Sequence, residues 1–229
     1  MNIRLLLPLL AAAAACFSLS SCSNVPSSGG SGAQARYEAY NLPATLPTNR
    51  SKVRVKVSLK NRMAYVMEGS KPLLVMPVTV GTAKNPTPRG NFRIYKKEHY
   101  RRANTHGYAI KNGVVRPCYL KSKPSGWAFK GTPMPYWCEF KSAYGFHTGW
   151  MKPFPASHGC LRMHKNVSPK FFRLVSTGTP VNISYTQPED STIGRNVPRP
   201  PDSTPFPNNP HSMMVTNKFF TMHQKPTYQ

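Results

Sequence analysis

The most constraining feature of the chain is a succession of short apolar segments with period two, each closed by turn-forming residues. Val53-Arg54-Val55-Lys56-Val57-Ser58-Leu59 alternates apolar and polar side chains, as a strand with one buried face requires. Lys60-Asn61-Arg62 supplies a turn, residues 63–67 a second strand, and residues 72–80 a longer apolar run ending at Gly81. In Asn85-Pro86-Thr87-Pro88-Arg89-Gly90 the prolines fix φ and the glycine relieves it, which makes a rigid loop. Residues 91–96, 136–140, 143–147 and 180–185 read as further strands. This is a run of short antiparallel strands rather than a βαβ alternation, so the chain is expected to be mainly β. One short helix is expected over 166–177, where Val167, Phe171, Phe172 and Val175 share a face and Gly178 and Pro180 end it. Residues 99–135 interleave basic and aromatic side chains with Gly and Pro; irregular loops with a strand or two, covering a site, are expected there.

The flanks differ in kind. Residues 1–21 carry one early positive charge and an apolar run from Leu5 to Leu19, too short to span a bilayer of about 20 helical residues. Leu19-Ser20-Ser21-Cys22 follows, so the segment reads as a signal peptide. It resembles a bacterial lipobox, which implies cleavage before Cys22, lipid on Cys22 and anchoring in the envelope, with Ser23 favouring the outer membrane. Residues 22–50 are rich in Ser, Gly, Ala, Thr and Pro and read as a flexible tether. The domain is expected over 51–186. From 187 to 229 the chain is rich in Pro, Asn, Ser and Thr without apolar period, and is expected to be a largely disordered tail. Within it, Lys218-Phe219-Phe220 and the two methionines before them have the apolar content to dock locally.

Composition narrows the chemistry. The chain has 31 Lys+Arg against 7 Asp+Glu, a formal net charge of +24. Such a field favours anionic partners. Export argues against nucleic acid, and no zinc-finger or helix-turn-helix pattern occurs; retention at an anionic envelope is the reading preferred. Within the expected domain the acids are Glu68, Glu98 and Glu139. A two-carboxylate glycosidase site, a calcium loop or a two-metal phosphatase centre needs more than that.

Nucleophilic chemistry needs other residues, and they cluster in Phe146-His147-Thr148-Gly149-Trp150 and Ala156-Ser157-His158-Gly159-Cys160-Leu161-Arg162-Met163. Cys160 is the natural nucleophile, and a neighbouring imidazolium from His147 or His158 would raise its thiolate fraction. If the segment is extended, His158, Cys160 and Arg162 share a face. Gly159 lets the backbone approach a substrate, and the N–H groups of Gly159 and Cys160 are candidates to hold an oxyanion. With so few acids, the carbonyl of Thr148 or Gly149 is expected to orient the imidazole. A rival reading is a zinc site from His147, His158, Cys160 and His164, at a spacing that matches no recognised finger. A second rival is a non-catalytic wall-binding lipoprotein. Cys118 and Cys138 are candidates for a disulfide closing a loop of about 20 residues.

Ser157-His158-Gly159-Cys160-Leu161-Arg162-Met163, preceded by His147-Thr148-Gly149-Trp150, closely resembles the catalytic motif of the YkuD-type L,D-transpeptidases. Thr87-Pro88-x-Gly90-x-Phe92 and Pro135-Tyr136-Trp137 resemble two further motifs of that family, in the expected order. The resemblance spans roughly residues 51–185. It implies a β-rich, sandwich-like catalytic domain with Cys160 as the acylated nucleophile and His147 as its base. Ser157, His158 and Arg162 would shape the pocket or meet a substrate carboxylate, and Tyr136 is a candidate oxyanion donor. The implied reaction is acyl transfer on peptidoglycan tetrapeptide stems: a thioester forms on Cys160 as D-alanine leaves. An amine then resolves it as a 3→3 crosslink or attaches an envelope protein; water as acceptor would make an L,D-carboxypeptidase. The resemblance implies neither cofactor nor metal. Cys138 and the long stretch 100–125 depart from the family pattern.

Overall fold

Why the alternation at Val53–Ser58 forms an inner strand is evident in the computed structural model, which describes residues 32–203 and 211–229. The segment of the expected signal peptide and lipidated Cys22 lies outside the described residues. Val53, Val55 and Val57 turn inward, at 2%, 1% and 0% exposure, while Arg54 stays in solvent.

One sheet joins β1 (Val53–Ser58), β2 (Met63–Glu68), β3 (Lys71–Pro77), β4 (Gly90–Arg93) and β10 (Pro180–Ser184) in the order β3-β2-β1-β10-β4. The other joins β5 (Lys96–Lys111), β6 (Val114–Tyr119), β7 (Ala128–Lys141), β8 (Tyr144–Thr148) and β9 (Leu161–Met163) in the order β6-β5-β7-β8-β9. The result is mainly β and sandwich-like, as expected. The pairing is not purely antiparallel: β1 with β10 and β8 with β9 run parallel, because long excursions of the chain return between them. The two inner faces meet in one core, with Val55, Val57, Val66 and Leu74 from the first sheet and Phe140, Phe146, Leu161 and Met163 from the second.

The helix α2 (Ser168–Leu174) inserts Phe171 into this core, 4.6 Å between ring centroids from Phe146. It is shorter than the expected 166–177. Val175 is already extended, and Lys97 Nζ donates to the carbonyls of Phe172 and Val175 at 2.8 and 2.7 Å. A cation on the orphan carbonyls satisfies the helix end early.

Residues 99–135 are not irregular loops. They form the long antiparallel ladder of β5, β6 and β7. Between the pairs Arg102–Pro133 and Gly107–Gly131 the register shifts, with five steps along β5 against two along β7. A Cβ at Gly131 would sit 1.9 Å from the carbonyl oxygen of Ala103, so only glycine lets the bulged backbones approach this closely.

The flanks are docked where the structure describes them. Met63, Tyr65 and Met67 form a second apolar face on β2, on which Val197 packs. Tyr65 Oη and Ser58 Oγ donate to the Asp190 carboxylate at 2.6 and 2.8 Å, and Lys56 pairs with Glu189. The expected disorder from residue 187 is therefore replaced by a polar-stapled cover. Likewise, α1 (Gly32–Ala39) buries Tyr37, and Leu42 and Ala44 follow it into the interior. Asn166 Nδ2 donates to the carbonyls of Glu38 and Tyr40, so the tether's later half belongs to the domain. The C-terminal stretch opens with α3 (His211–Met214), buries Phe219 and Phe220, and donates its last backbone N–H, of Gln229, to the Ala44 carbonyl.

Cys118 and Cys138 cannot bridge. Strand β5 runs between theirs, with Gly107 opposite Cys118 and Lys97 opposite Cys138. Along the regular partner β7, Gly131 opposite Gly107 and Cys138 lie seven residues apart, about 23 Å at about 3.3 Å per residue. A disulfide tolerates about 7 Å between Cα atoms. Among the described residues no helix is long and apolar enough to cross a membrane.

Candidate active site

The parallel pairing of β8 with β9 sets Phe146 opposite Leu161 and His147 opposite Arg162. Phe146 and Leu161 fill the core, both at 0% exposure. With alternation of two, His147, Cys160 and Arg162 fall together on the other face. All three line one cavity of about 310 Å³, at the lower end of ligand-sized clefts.

Cys160 sits in a turn that hydrogen bonds hold from both sides. Ser157 Oγ donates to the Cys160 carbonyl at 2.6 Å and accepts the Gly159 N–H at 3.0 Å. Thr87 Oγ1 donates to the Gly159 carbonyl at 2.9 Å and accepts the Gly81 N–H at 2.9 Å. Thr79 pairs with Arg162 along the free edge of β9, so the segment after β3 leaves the first sheet and backs the turn. Gly159 has φ +107°, and a Cβ there would lie 2.5 Å from the Tyr144 ring; no other residue fits that conformation and space. Ser157 is thus a brace of the turn. Its bond to Gly159 also corrects the expected pair of oxyanion donors: the Gly159 N–H is occupied, whereas that of Cys160 has no partner among the described residues.

His147 Nδ1 lies 2.8 Å from the Thr148 carbonyl oxygen. A carbonyl only accepts, so Nδ1 carries the proton and Nε2 is the free lone pair of the neutral ring. The carbonyl expected to orient the ring is that of Thr148; the Gly149 N–H, for its part, closes on Met163. Burial lowers the His147 pKa to about 4, outweighing the Thr148 bond, with the charges of Arg162 and His106 pushing the same way. Burial pushes the Cys160 thiol up, against the lowering contributions of the Gly145 backbone and Arg162. Burial thus favours the neutral form of each group, thiol and imidazole, and works against the imidazolium-assisted thiolate expected from the sequence. The thiol rests 3.6 Å from the Ala143 carbonyl oxygen. Ala143 takes φ +63° in the β7–β8 turn, and its N–H donates to Glu139 at 3.0 Å. Glu139 is held ionised: burial opposes charge there, but bonds from Trp137, Tyr95 and Ala143 outweigh it and lower its pKa.

Arg162 has no ion-pair partner among the described residues. Its aliphatic stem lies against Gly149, where a Cβ would come within 3.0 Å of it. A guanidinium without a protein carboxylate, lining a cavity, suits an incoming carboxylate. His158 is exposed at the rim, 5.8 Å between ring centroids from His106.

Two expected constellations are not brought together. Tyr136 lines a different pocket with His99 and Phe172, and its hydroxyl meets His223 Nε2 at 2.5 Å. Its φ of +58° breaks the strand alternation, so Met134 and Trp137, not Tyr136, pack beside Cys160. The zinc set fails at His164. Its Nε2 faces the Tyr37 carbonyl at 2.9 Å and its Nδ1 accepts the Asn166 N–H at 3.2 Å, which leaves no lone pair for a metal. Thr87, Glu139 and His106 had no role expected from the sequence: Thr87 lay inside a quoted motif, and the other two carry no local signal. The local docking expected of the methionines and Phe219 brings Met214 and Phe219 to this cavity.

The sequence model of YkuD, the L,D-transpeptidase catalytic domain, matches residues 52–183, more than half of the chain. Similar solved structures include an L,D-transpeptidase from Stackebrandtia nassauensis, 22% identical, with 67% of this chain and 65% of that one covered and a TM-score of 0.44. One from Mycobacterium smegmatis is 19% identical, with 58% of each chain covered and a TM-score of 0.45. A mutant L,D-transpeptidase of Enterococcus faecium is 23% identical, with 58% and 50% covered and a TM-score of 0.43. The chain thus spans 65% or less of the length of these structures. No curated protein matches it. On the extent of the sequence match, the chain belongs to the YkuD family of L,D-transpeptidase catalytic domains.

Proposed function

We propose that the protein is a cysteine-dependent L,D-transpeptidase acting on peptidoglycan tetrapeptide stems. The observation that carries this reading is the β8–β9 register, which gives Cys160, His147 and Arg162 one cavity, with His147 Nε2 left free as a base. In the first step the Cys160 thiol gives its proton to His147 Nε2 as sulfur attacks the carbonyl carbon at the L-centre of the third stem residue. The Cys160 N–H is one donor for the oxyanion. Collapse breaks the amide bond; His147 returns the proton to the leaving amine, and D-alanine departs, leaving a thioester on Cys160. In the second step an acceptor amine attacks the thioester, His147 takes its proton, and the thiol is restored. A neutral resting pair suits this cycle, because His147 must accept a proton at each attack and return one at each collapse. Arg162 is proposed to hold a substrate carboxylate.

The same proposal places the protein in the cell envelope, as a periplasm-facing lipoprotein held in the outer membrane through Cys22. The net charge of +24 supports retention at an anionic wall.

The test is product mass spectrometry with a disaccharide–tetrapeptide, beside a Cys160→Ala control. Loss of D-alanine with crosslinked dimer, absent in the control, is expected, as is covalent carbapenem on Cys160. Tripeptide alone would identify water as the acceptor and make the protein a carboxypeptidase. Turnover undiminished in Cys160→Ala would overturn the proposal.

A further inference from the structure

We propose that the C-terminal segment from His211 to Phe220 is a specificity wall of the Cys160 cavity, receiving the aliphatic side chain of the bound acyl group and screening its thioester from water. The inference rests on the thioacyl reading above. The segment lies beyond the family match at 52–183. Met214 and Phe219, at 5% and 7% exposure, line the cavity that holds Cys160 and His147. Phe219 meets Trp150 edge-on at 5.9 Å, and both join a cluster with Tyr108 and Met214.

The segment is fastened in place. The Arg102 guanidinium donates to the carbonyls of Met214 at 2.9 Å, Thr216 at 2.8 Å and Gly131 at 2.9 Å. The same group stacks over Phe220 at 5.0 Å, and Tyr100 closes on Phe220 at 5.2 Å. One side chain thereby ties the tail to the β5–β7 bulge. Farther on, the Gln224 N–H donates to Asn166 at 2.9 Å.

The cavity is divided by chemistry. His147, His158 and Arg162 present nitrogen, whereas Met214, Phe219 and Trp150 present thioether and aromatic surface. An acyl residue with an anionic group and a run of methylenes, such as a diamino acid, matches both parts. Apolar cover in the cavity that holds the sulfur also disfavours water over an amine carried by a larger acceptor.

The experiment uses the full chain, with Phe219→Ala, Met214→Ala and Arg102→Gln as variants. A disaccharide–tetrapeptide serves as donor and acceptor, and crosslinked dimer and hydrolysed tripeptide are quantified together. Each variant is expected to raise the tripeptide-to-dimer ratio about fivefold and the donor KM about fivefold. Phe219→Leu restores most of the ratio. Both products arise from the same thioester, so the ratio is insensitive to how much of a variant is folded. Unchanged ratio and KM in all three variants would overturn the wall and leave the enzyme reading standing. A parent chain that takes no acyl group on Cys160 would sink both.

Discussion

Two buried histidines stand at the ends of the paired strands β8 and β9, and they differ in a single nitrogen. His147 and His164 are 8% and 1% exposed, and each gives one ring nitrogen to a backbone carbonyl. Burial lowers both pKa values, to about 4 and about 3. The second nitrogen of His164 accepts the Asn166 N–H, whereas that of His147 faces a cavity beside a thiol. A depressed pKa therefore does not mark a base here; an unspent lone pair over open space does. His164 ties α1 to the turn before α2, and His147 keeps a lone pair for the proton transfer proposed above.

Exchanging their substitutions breaks the comparison most strongly. His147→Gln is expected to lower kcat/KM by about 10²–10⁴, with a folded protein of nearly unchanged melting temperature. His164→Ala strands the Tyr37 carbonyl and the Asn166 N–H and is expected to cost about 2–4 kcal/mol of stability. The kcat of its folded fraction should stay within about twofold of the parent. Steady-state kinetics with denaturant melts on both variants reads the two effects separately; equal losses of activity would erase the distinction.

The thiols sharpen it next. Cys138 lies at 0% exposure in the core with its pKa pushed up to about 12, while Cys160 opens on the cavity. Iodoacetamide mapped by mass spectrometry should label Cys160 and spare Cys138. Because burial pushes the Cys160 thiol pKa up, its labelling rate should rise steeply between about pH 7 and 9, following the thiolate. A flat profile across that range would mean a standing thiolate–imidazolium pair.

Acid stability is a smaller effect with a definite sign. Unfolded histidine takes a proton near pH 6.5. Folded His147 and His164 resist it until about 4 and about 3. Between these limits the unfolded state binds more protons. Stability is thus fully present above about pH 6.5 and falls as the pH drops, at up to about 1.4 kcal/mol per pH unit for each ring. His99 and His106, whose pKa values burial also lowers, act in the same direction. Urea melts from pH 7 to 4.5 should show this slope, and His147→Gln should flatten it; an unchanged slope in that variant would contradict a buried neutral ring.

Much of this was legible in the residues, for reasons that also explain the gaps. β1 and β10 bury one face against a common core, so their alternation survives in the sequence, whereas β2 is buried on both faces and reads as a continuous apolar run. The residues proposed to react are contiguous in two motifs, and a parallel strand pair needs little more than alternation to put them on one face. β5 stays half solvated along most of its length, so charge and aromatic residues hide its period. The covers at 187–197 and 211–220 dock through isolated residues, Asp190, Met214 and Phe219 among them, each fitted to a surface that the rest of the chain creates. Tyr136 failed as a site residue because one left-handed φ turns its side chain away from the cavity. No spacing rule carries that information.

The smallest expected effect concerns the cysteines that do not meet. Cys118 is half-buried on β6, separated from Cys138 by the whole width of β5. With no bridge to break, reductant should leave the melting temperature of the protein unchanged. Cys118→Ser should shift stability by less than about 0.5 kcal/mol, as expected of a half-exposed position without a fixed partner. Loss of a real disulfide closing about 20 residues would cost about 3 kcal/mol. That difference is large enough for a single melt, with and without reductant, to decide whether the β5 ladder separates the two thiols as the pairing of Gly107 and Lys97 requires.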